Sequence, residues 1–279
     1  MNESVRLSRN FHQTFIPERQ YLHAMMRFAA SHQSGDYLEI AEATGIPTGQ
    51  FSGKVPAILN YCRGMGLLRL GGNLRTKKKS PLLTPFGRIV FLEDPHLKEE
   101  LTQWIAHFNL CSIISGAEIW YYTFFAGFEK LGINFSRIEL GKYLSSIFAV
   151  NSQKIIGPLV RMYEDEAAFK LCGALSEVSQ VITRNTAPII DDFGFAYGAW
   201  IIQLIADHFT EKEQITITEL NDKAGWRSIP GWNVEQGQQV LALLERKGVL
   251  YVDRQMAPWI VQPRLSTEEV WGKIYDDLI

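Results

Sequence analysis

Apolar residues recur at helical spacing along most of the chain and at strand spacing in a few short stretches. Tyr21, Leu22, Met25, Met26 and Phe28 lie three and four apart and predict a first helix ending near Ser31, since such residues share one helix face. Gly35 interrupts it. Residues 37–45 form a short second helix with Leu38 and Ala41 inward, closed by Gly45 and stopped by Ile46-Pro47. Thr48 or Ser52 is placed to cap a third helix through Val55, Ile58, Leu59 and Cys62, with Gly64 and Gly66 at its end. A strand Leu67-Leu68-Arg69-Leu70, a turn at Gly71-Gly72-Asn73 and a returning strand Leu82-Leu83-Thr84 follow. Helix, glycine turn, helix and hairpin in this order predict a winged helix-turn-helix.

Residues 97–210 read as helices almost throughout, with Leu101, Trp104, Ile105 and Phe108 on one apolar face. The run Trp120-Tyr121-Tyr122-Thr123-Phe124-Phe125 is too dense for one face and is expected to form a packed centre; a stacking platform for bases is the alternative. Near the end the first pattern returns. A short helix from Thr216 closes at Ala224-Gly225, a longer one runs from Val234 to Lys247, and strands Val249–Val252 and Trp259–Val261 flank a wing. The predicted fold is mainly α: an N-terminal arm and winged helix-turn-helix over 1–95, a central helical domain over 96–212, and a C-terminal winged-helix-like module with small β wings over 213–279.

Composition adds bounds. With 279 residues, 46% hydrophobic and 21% charged, the chain has the balance of a globular protein. Neither an apolar leader nor a membrane-length apolar run occurs, which predicts a cytoplasmic protein without membrane contact. Cys62, Cys111 and Cys172 are scattered in apolar contexts, as reduced core thiols are. The net charge of −2 hides an asymmetry: residues 1–90 carry 12 Lys/Arg against 5 Asp/Glu, a balance of +7, and residues 91–279 carry 16 against 25, a balance of −9. The basic first quarter is a candidate polyanion-binding module.

In a winged helix the third helix enters the major groove and wing cations neutralise phosphate. Gln50, Ser52 and Lys54 are the candidates for the groove, and Arg75, Lys77, Lys78 and Lys79 for phosphate. Ahead of the module, residues 11–19 are polar and aromatic without a period. There His12 has the chemistry of a general base, Glu18 that of an acid and Arg19 that of a phosphate fork; the same segment also reads as an arm packing Phe11 and Phe15 onto the body. Carboxylates come together at Tyr163-Glu164-Asp165-Glu166 and at Asp191-Asp192, where metal or acid-base chemistry and helix-surface charge are both open. No zinc-protease helix, phosphate-binding glycine loop or serine-nucleophile elbow is present.

Several short blocks carry a resemblance. Asn10-Phe11-His12-Gln13-Thr14-Phe15 with Pro17 and Arg19, then Leu83-Thr84-Pro85-Phe86-Gly87, Asp94-Pro95-His96-Leu97, Trp104, His107 and Phe108, and Trp120-Tyr121-Tyr122 with Phe124 or Phe125, resemble a bacterial family of unknown-function domains associated with DNA phosphorothioation. Its best-understood members are SspB-like DNA-nicking components of the Ssp phosphorothioate modification and antiphage defence system. The resemblance implies double-stranded DNA as a target and a cysteine desulfurase, an ATPase and further modification subunits as partners. It also implies magnesium if strand cleavage is intrinsic, but places no catalytic signature on this chain. Two other functions fit the bare module: a transcriptional regulator that dimerises through the helical body as a homodimer, and a non-catalytic scaffold.

Overall fold

The computed structural model describes residues 6–48, 53–72, 77–149, 153–210, 212 and 214–278. By internal contacts the chain divides into two compact units, Met1–Asn185 and Thr186–Ile279.

The first unit opens with α1 (Arg19–Ala30), α2 (Tyr37–Thr44) and α3 (Lys54–Gly64). Their start and stop signals are local. Asp36 accepts the backbone N–H groups of Leu38 and Glu39, both at 2.9 Å, and Glu39 accepts that of Asp36 at 2.7 Å, so α2 begins with a reciprocal cap. It ends at Gly45, whose φ of +71° is costly for any residue with a β-carbon. The expected cap of α3 is corrected: Gly53 takes that position with no side-chain hydrogen bond, while Thr48 bridges to Gly53 instead. Ser52 lies outside the described residues.

Strands β1 (Leu68–Gly71) and β2 (Ser80–Leu83) pair antiparallel, Leu68 opposite Leu83 and Gly71 opposite Ser80. Gly35 and Lys79 exchange two backbone hydrogen bonds of 3.0 and 2.7 Å, which fasten the hairpin to the α1–α2 loop. Thr84 then caps α4 (Pro85–Glu93), accepting from Gly87 at 2.9 Å and donating to the Gly66 carbonyl at 2.5 Å. A β-carbon on Gly87 would sit 1.8 Å from the Leu67 carbonyl oxygen, so the close approach of α4 to the hairpin root demands glycine.

Helix α5 (Glu100–Leu110) is buried almost all round. After it, α6 (Glu118–Tyr121) passes into a single π-helical turn over Tyr122–Ala126 and on to α7 (Phe128–Leu131). The aromatic run divides across this segment: Trp120, Thr123 and Phe124 are buried, while Tyr121, Tyr122 and Phe125 stay partly exposed. The expectation of helices almost throughout 97–210 is also corrected. Strands β3 (Asn134–Ser136), β4 (Leu175–Val178) and β5 (Val181–Arg184) form an antiparallel sheet in the order β3-β5-β4, accompanied by α8 (Arg137–Phe148) and α9 (Gln153–Glu164). Phe135, Leu175 and Ile182 point to the core while Val178 and Val181 are exposed. Such short alternation fits equally into a helical window, which is why spacing alone misses it.

In the second unit α10 (Gly194–His208) packs against α11 (Ile217–Ala224), α12 (Val234–Arg246) and α13 (Thr267–Trp271). Strands β6 (Ile215–Thr216), β7 (Leu250–Asp253) and β8 (Ile260–Pro263) make a sheet in the order β6-β8-β7. Reciprocal caps at Thr216/Glu219, Asn233/Gln236 and Ser266/Glu269 start α11, α12 and α13. These helices cover the apolar face of α10. The protein is mainly helical. Among the described residues no helix is long and apolar enough to cross a membrane, and all three cysteines are buried and free.

Candidate nucleic-acid interface

The hairpin and the first turn of α3 carry the predicted polyanion contacts. Lys77 and Lys78 are exposed beside the hairpin tip, and Lys79 is half-buried where its backbone joins Gly35. Lys78 reaches Glu39 on α2 at 3.3 Å, with both side chains more than half exposed. An ion pair this wet is worth about 0–1 kcal/mol. Gln50, Ser52 and Arg75 lie outside the described residues.

Lys54 turns inward instead of outward. Its Nζ donates to Glu18 Oε1 at 2.6 Å and stands 4.4 Å from the Tyr21 ring centre and 5.5 Å from that of Phe15, with the side chain only 16% exposed. Two expected site residues are thus brought together, Glu18 and Lys54, but as each other's counter-ion. Gln13 Oε1 accepts the Gly53 N–H at 3.2 Å and seals the same junction. The arm and the third helix form one surface, a relation that linear spacing cannot display.

His12 is buried. Phe11 meets the Tyr61 ring edge to face at 4.8 Å and the Trp120 ring at 5.8 Å, and His12 lies 6.3 Å from Trp120. Burial pushes the imidazole down to about 4, against a smaller upward pull from the Arg9 carbonyl, so it is neutral near pH 7. Nδ1 accepts the Thr14 N–H at 3.1 Å, and Nε2 is buried with no hydrogen-bond partner. The turn that makes this fit is strained: Gln13 and Thr14 have φ of +46° and +75°, and a β-branched residue rarely adopts such a value. His12 has no open face toward solvent here.

Arg19 is likewise anchored. Its Nη2 donates to the Glu166 carbonyl at 2.7 Å and Nη1 to the Leu97 carbonyl at 3.4 Å, while its own N–H binds the Ala167 carbonyl at 2.8 Å. The guanidinium lies beside a cavity of about 370 Å³ that His96 and Lys98 also line.

Phe11, His107 and Trp120, from three of the blocks noted in the sequence, meet in one interior. His107 Nδ1 and Tyr163 Oη share a hydrogen bond of 2.6 Å, and that oxygen accepts from Trp120 Nε1 at 2.9 Å; burial pushes His107 down to about 3, with Arg184 adding to the shift. Asp94 holds the backbone N–H groups of Lys98 and Glu99 at 2.7 and 3.0 Å. These residues staple the fold. Spacing gives Tyr163 no signal for this role, because its neighbours in sequence are carboxylates and its partners are 43 and 56 positions away.

Glu164-Asp165-Glu166 and Asp191-Asp192 belong to different compact units; Glu166 pairs with Lys170 and Asp191 with Arg246. Among the described residues no group of three or more His, Cys, Asp or Glu is placed to hold a metal ion.

No protein-family model matches the sequence, and no curated protein matches it either. Two solved structures are similar over nearly all of it. A magnesium ion-bound SspB crystal structure superposes with a TM-score of 0.72 at 17% identity, covering 99% of this chain and 90% of that one. A second SspB crystal structure gives 0.71 at 18% identity with the same coverage. The chain has an SspB-like fold, as the residue resemblance implied.

Proposed function

We propose, from the SspB-like fold, that this chain is the DNA-binding, strand-nicking component of a phosphorothioate-based DNA modification and defence system. The SspB-like fold over 99% of the chain carries the reading. Three helices followed by an antiparallel hairpin, with Lys77, Lys78 and Lys79 beside the tip, support a winged helix-turn-helix docked on duplex DNA through its wing. Gln50, Ser52 and Arg75 remain its proposed groove and phosphate contacts. Lys54 serves it indirectly, by fixing the arm beneath α3. The partners proposed with it are a cysteine desulfurase, an ATPase and other modification subunits.

A winged-helix reading of the second unit points to a protein partner rather than to DNA. Arg254, the cation nearest its wing, is held by Glu245 at 2.5 Å. Beside it a cavity of about 230 Å³ is lined by Trp226, Leu241, Pro258 and Trp259.

One purified preparation tests the proposal with two measurements. Duplex binding is followed across a salt series for the wild type and for Lys77→Glu/Lys78→Glu/Lys79→Glu. The triple variant is expected to lose at least tenfold in affinity and to flatten the salt dependence, because each lost phosphate contact lowers the slope by about 0.9. Unchanged binding overturns the wing assignment and favours the scaffold reading. Incubation with supercoiled plasmid and magnesium is expected to yield open circles; their absence while binding persists removes the nicking step.

A further inference from the structure

The sequence left the aromatic run 120–125 between core and stacking platform, and the structure divides it. Trp120 and Phe124 are core. Tyr121, Tyr122 and Phe125 remain partly exposed and form one patch: Tyr121 lies 5.0 Å from Tyr122 and 5.6 Å from Phe125, and Tyr122 meets Phe148 edge to face at 5.4 Å. The π-helical turn over 122–126 sets this division by shifting the register of the rings relative to an α-helix. Such turns concentrate at functional sites.

Cations surround the rings. The Arg6 guanidinium carbon stands 3.9 Å above the Tyr121 ring, that of Arg9 5.5 Å from Phe148, and Lys130 Nζ 5.6 Å from Tyr143. Tyr143 joins patch and cavity: a β-carbon on Gly127 would stand 2.7 Å from its ring and 2.3 Å from the Tyr122 carbonyl oxygen. Together with Lys130 and Lys142 it lines an opening of about 280 Å³. Among the described residues none of Arg6, Arg9, Lys130 and Lys142 is in an ion pair, although Glu139 attracts Lys142 at longer range. Glu118 accepts the backbone N–H of Arg9 rather than its guanidinium, and Glu139, on the cavity wall, is committed to capping Ser136. Partly exposed rings interleaved with cations match single-stranded nucleic acid, whose bases stack on aromatic faces while phosphates meet the cations.

We propose that Tyr121, Tyr122, Phe125 and Phe148, framed by Arg6, Arg9, Lys130 and Lys142, form a platform for single-stranded DNA, separate from the duplex-binding wing. The inference rests on the DNA-handling reading for the identity of the polymer and on different residues for its site. A protein that acts on one strand needs a place to hold that strand once it is unpaired, and this surface has the chemistry for it.

The test uses the full chain with oligodeoxythymidylate and, separately, a duplex. Tyr122→Ala and Phe125→Ala are each expected to weaken single-strand binding about tenfold, as loss of one stacked base does, and to leave duplex binding unchanged. Tyr122→Phe should bind within twofold of wild type, because stacking uses the ring and not the hydroxyl. A second measurement does not depend on the variants folding: oligonucleotides carrying 5-iododeoxyuridine are photo-crosslinked to the wild type and mapped by mass spectrometry. Crosslinks at Tyr121, Tyr122, Phe125 or Phe148 support the platform. Crosslinks confined to other segments, or no single-strand binding by the wild type, overturn it. If single strands bind through these rings while the duplex does not bind, the wing proposal fails and the platform stands; the reverse pattern sinks the platform alone.

Discussion

At the residue scale, the chemistry suggested by a side chain is decided by its surroundings. A histidine beside polar residues has the makings of a general base, yet His12 sits against Phe11 and Trp120, where desolvation makes protonation costly. Its folded value, about 4, lies below the ordinary 6.5. The unfolded chain therefore binds the extra proton first as pH falls, and stability is lost between about 6.5 and 4. His107, held at about 3, acts in the same direction. Urea denaturation is expected to show a midpoint that falls steadily through this window. In His12→Gln that dependence should flatten, by up to about 3 kcal/mol across the window, since one pKa unit is about 1.4 kcal/mol. A His12→Gln profile that superimposes on the wild type would show that His12 titrates normally and is open to solvent.

At the element scale, Arg184 on β5 joins the sheet to the π-helical turn. Its guanidinium donates to the Gly132 carbonyl at 2.9 Å and to the Thr123 carbonyl, and the rings of Phe128 and Phe135 lie 4.9 and 5.4 Å from its centre. Burial pushes it down to about 10. Arg184→Leu strands two carbonyls, each costing about 1–3 kcal/mol when buried without a donor, so the melting temperature should drop by roughly 5 °C or more. Arg184→Lys, which reaches only one carbonyl at a time, should fall between. Equal melting temperatures for all three proteins would mean that the turn is held by its ring packing alone. Most helices of this fold were legible because their signals are local: Asp36 with Glu39, Gly45, Thr216 with Glu219 and Gly248 all act within a few residues. The sheet β3-β5-β4 was not legible, because each strand is three or four residues long and its partners are remote in sequence.

At the scale of the whole molecule, charge separates the two units. Residues 186–279 hold 8 Lys/Arg against 14 Asp/Glu, a balance of −6, which leaves +4 for residues 1–185. A polyanion is attracted by the first unit and repelled by the second, so the assignment of DNA to one wing and not the other has an electrostatic basis. Arg254→Glu, which breaks the pair with Glu245 at the second wing, is expected to change duplex affinity by less than twofold at moderate salt. A loss comparable to that of the lysine triple variant would place DNA on both units.

The amino-acid sequence by itself determined many of the helix starts and stops at both ends, the basic first quarter and the order of elements there, because each depends on neighbouring residues or on composition. Tertiary structure decided what those residues face. It paired Lys54 with Glu18, closed the interior over His12, anchored Arg19 on carbonyls from remote segments and split the aromatic run between core and surface. Burial and long-range pairing set the charge state and accessibility of a side chain, and neither is a property of its neighbours along the chain.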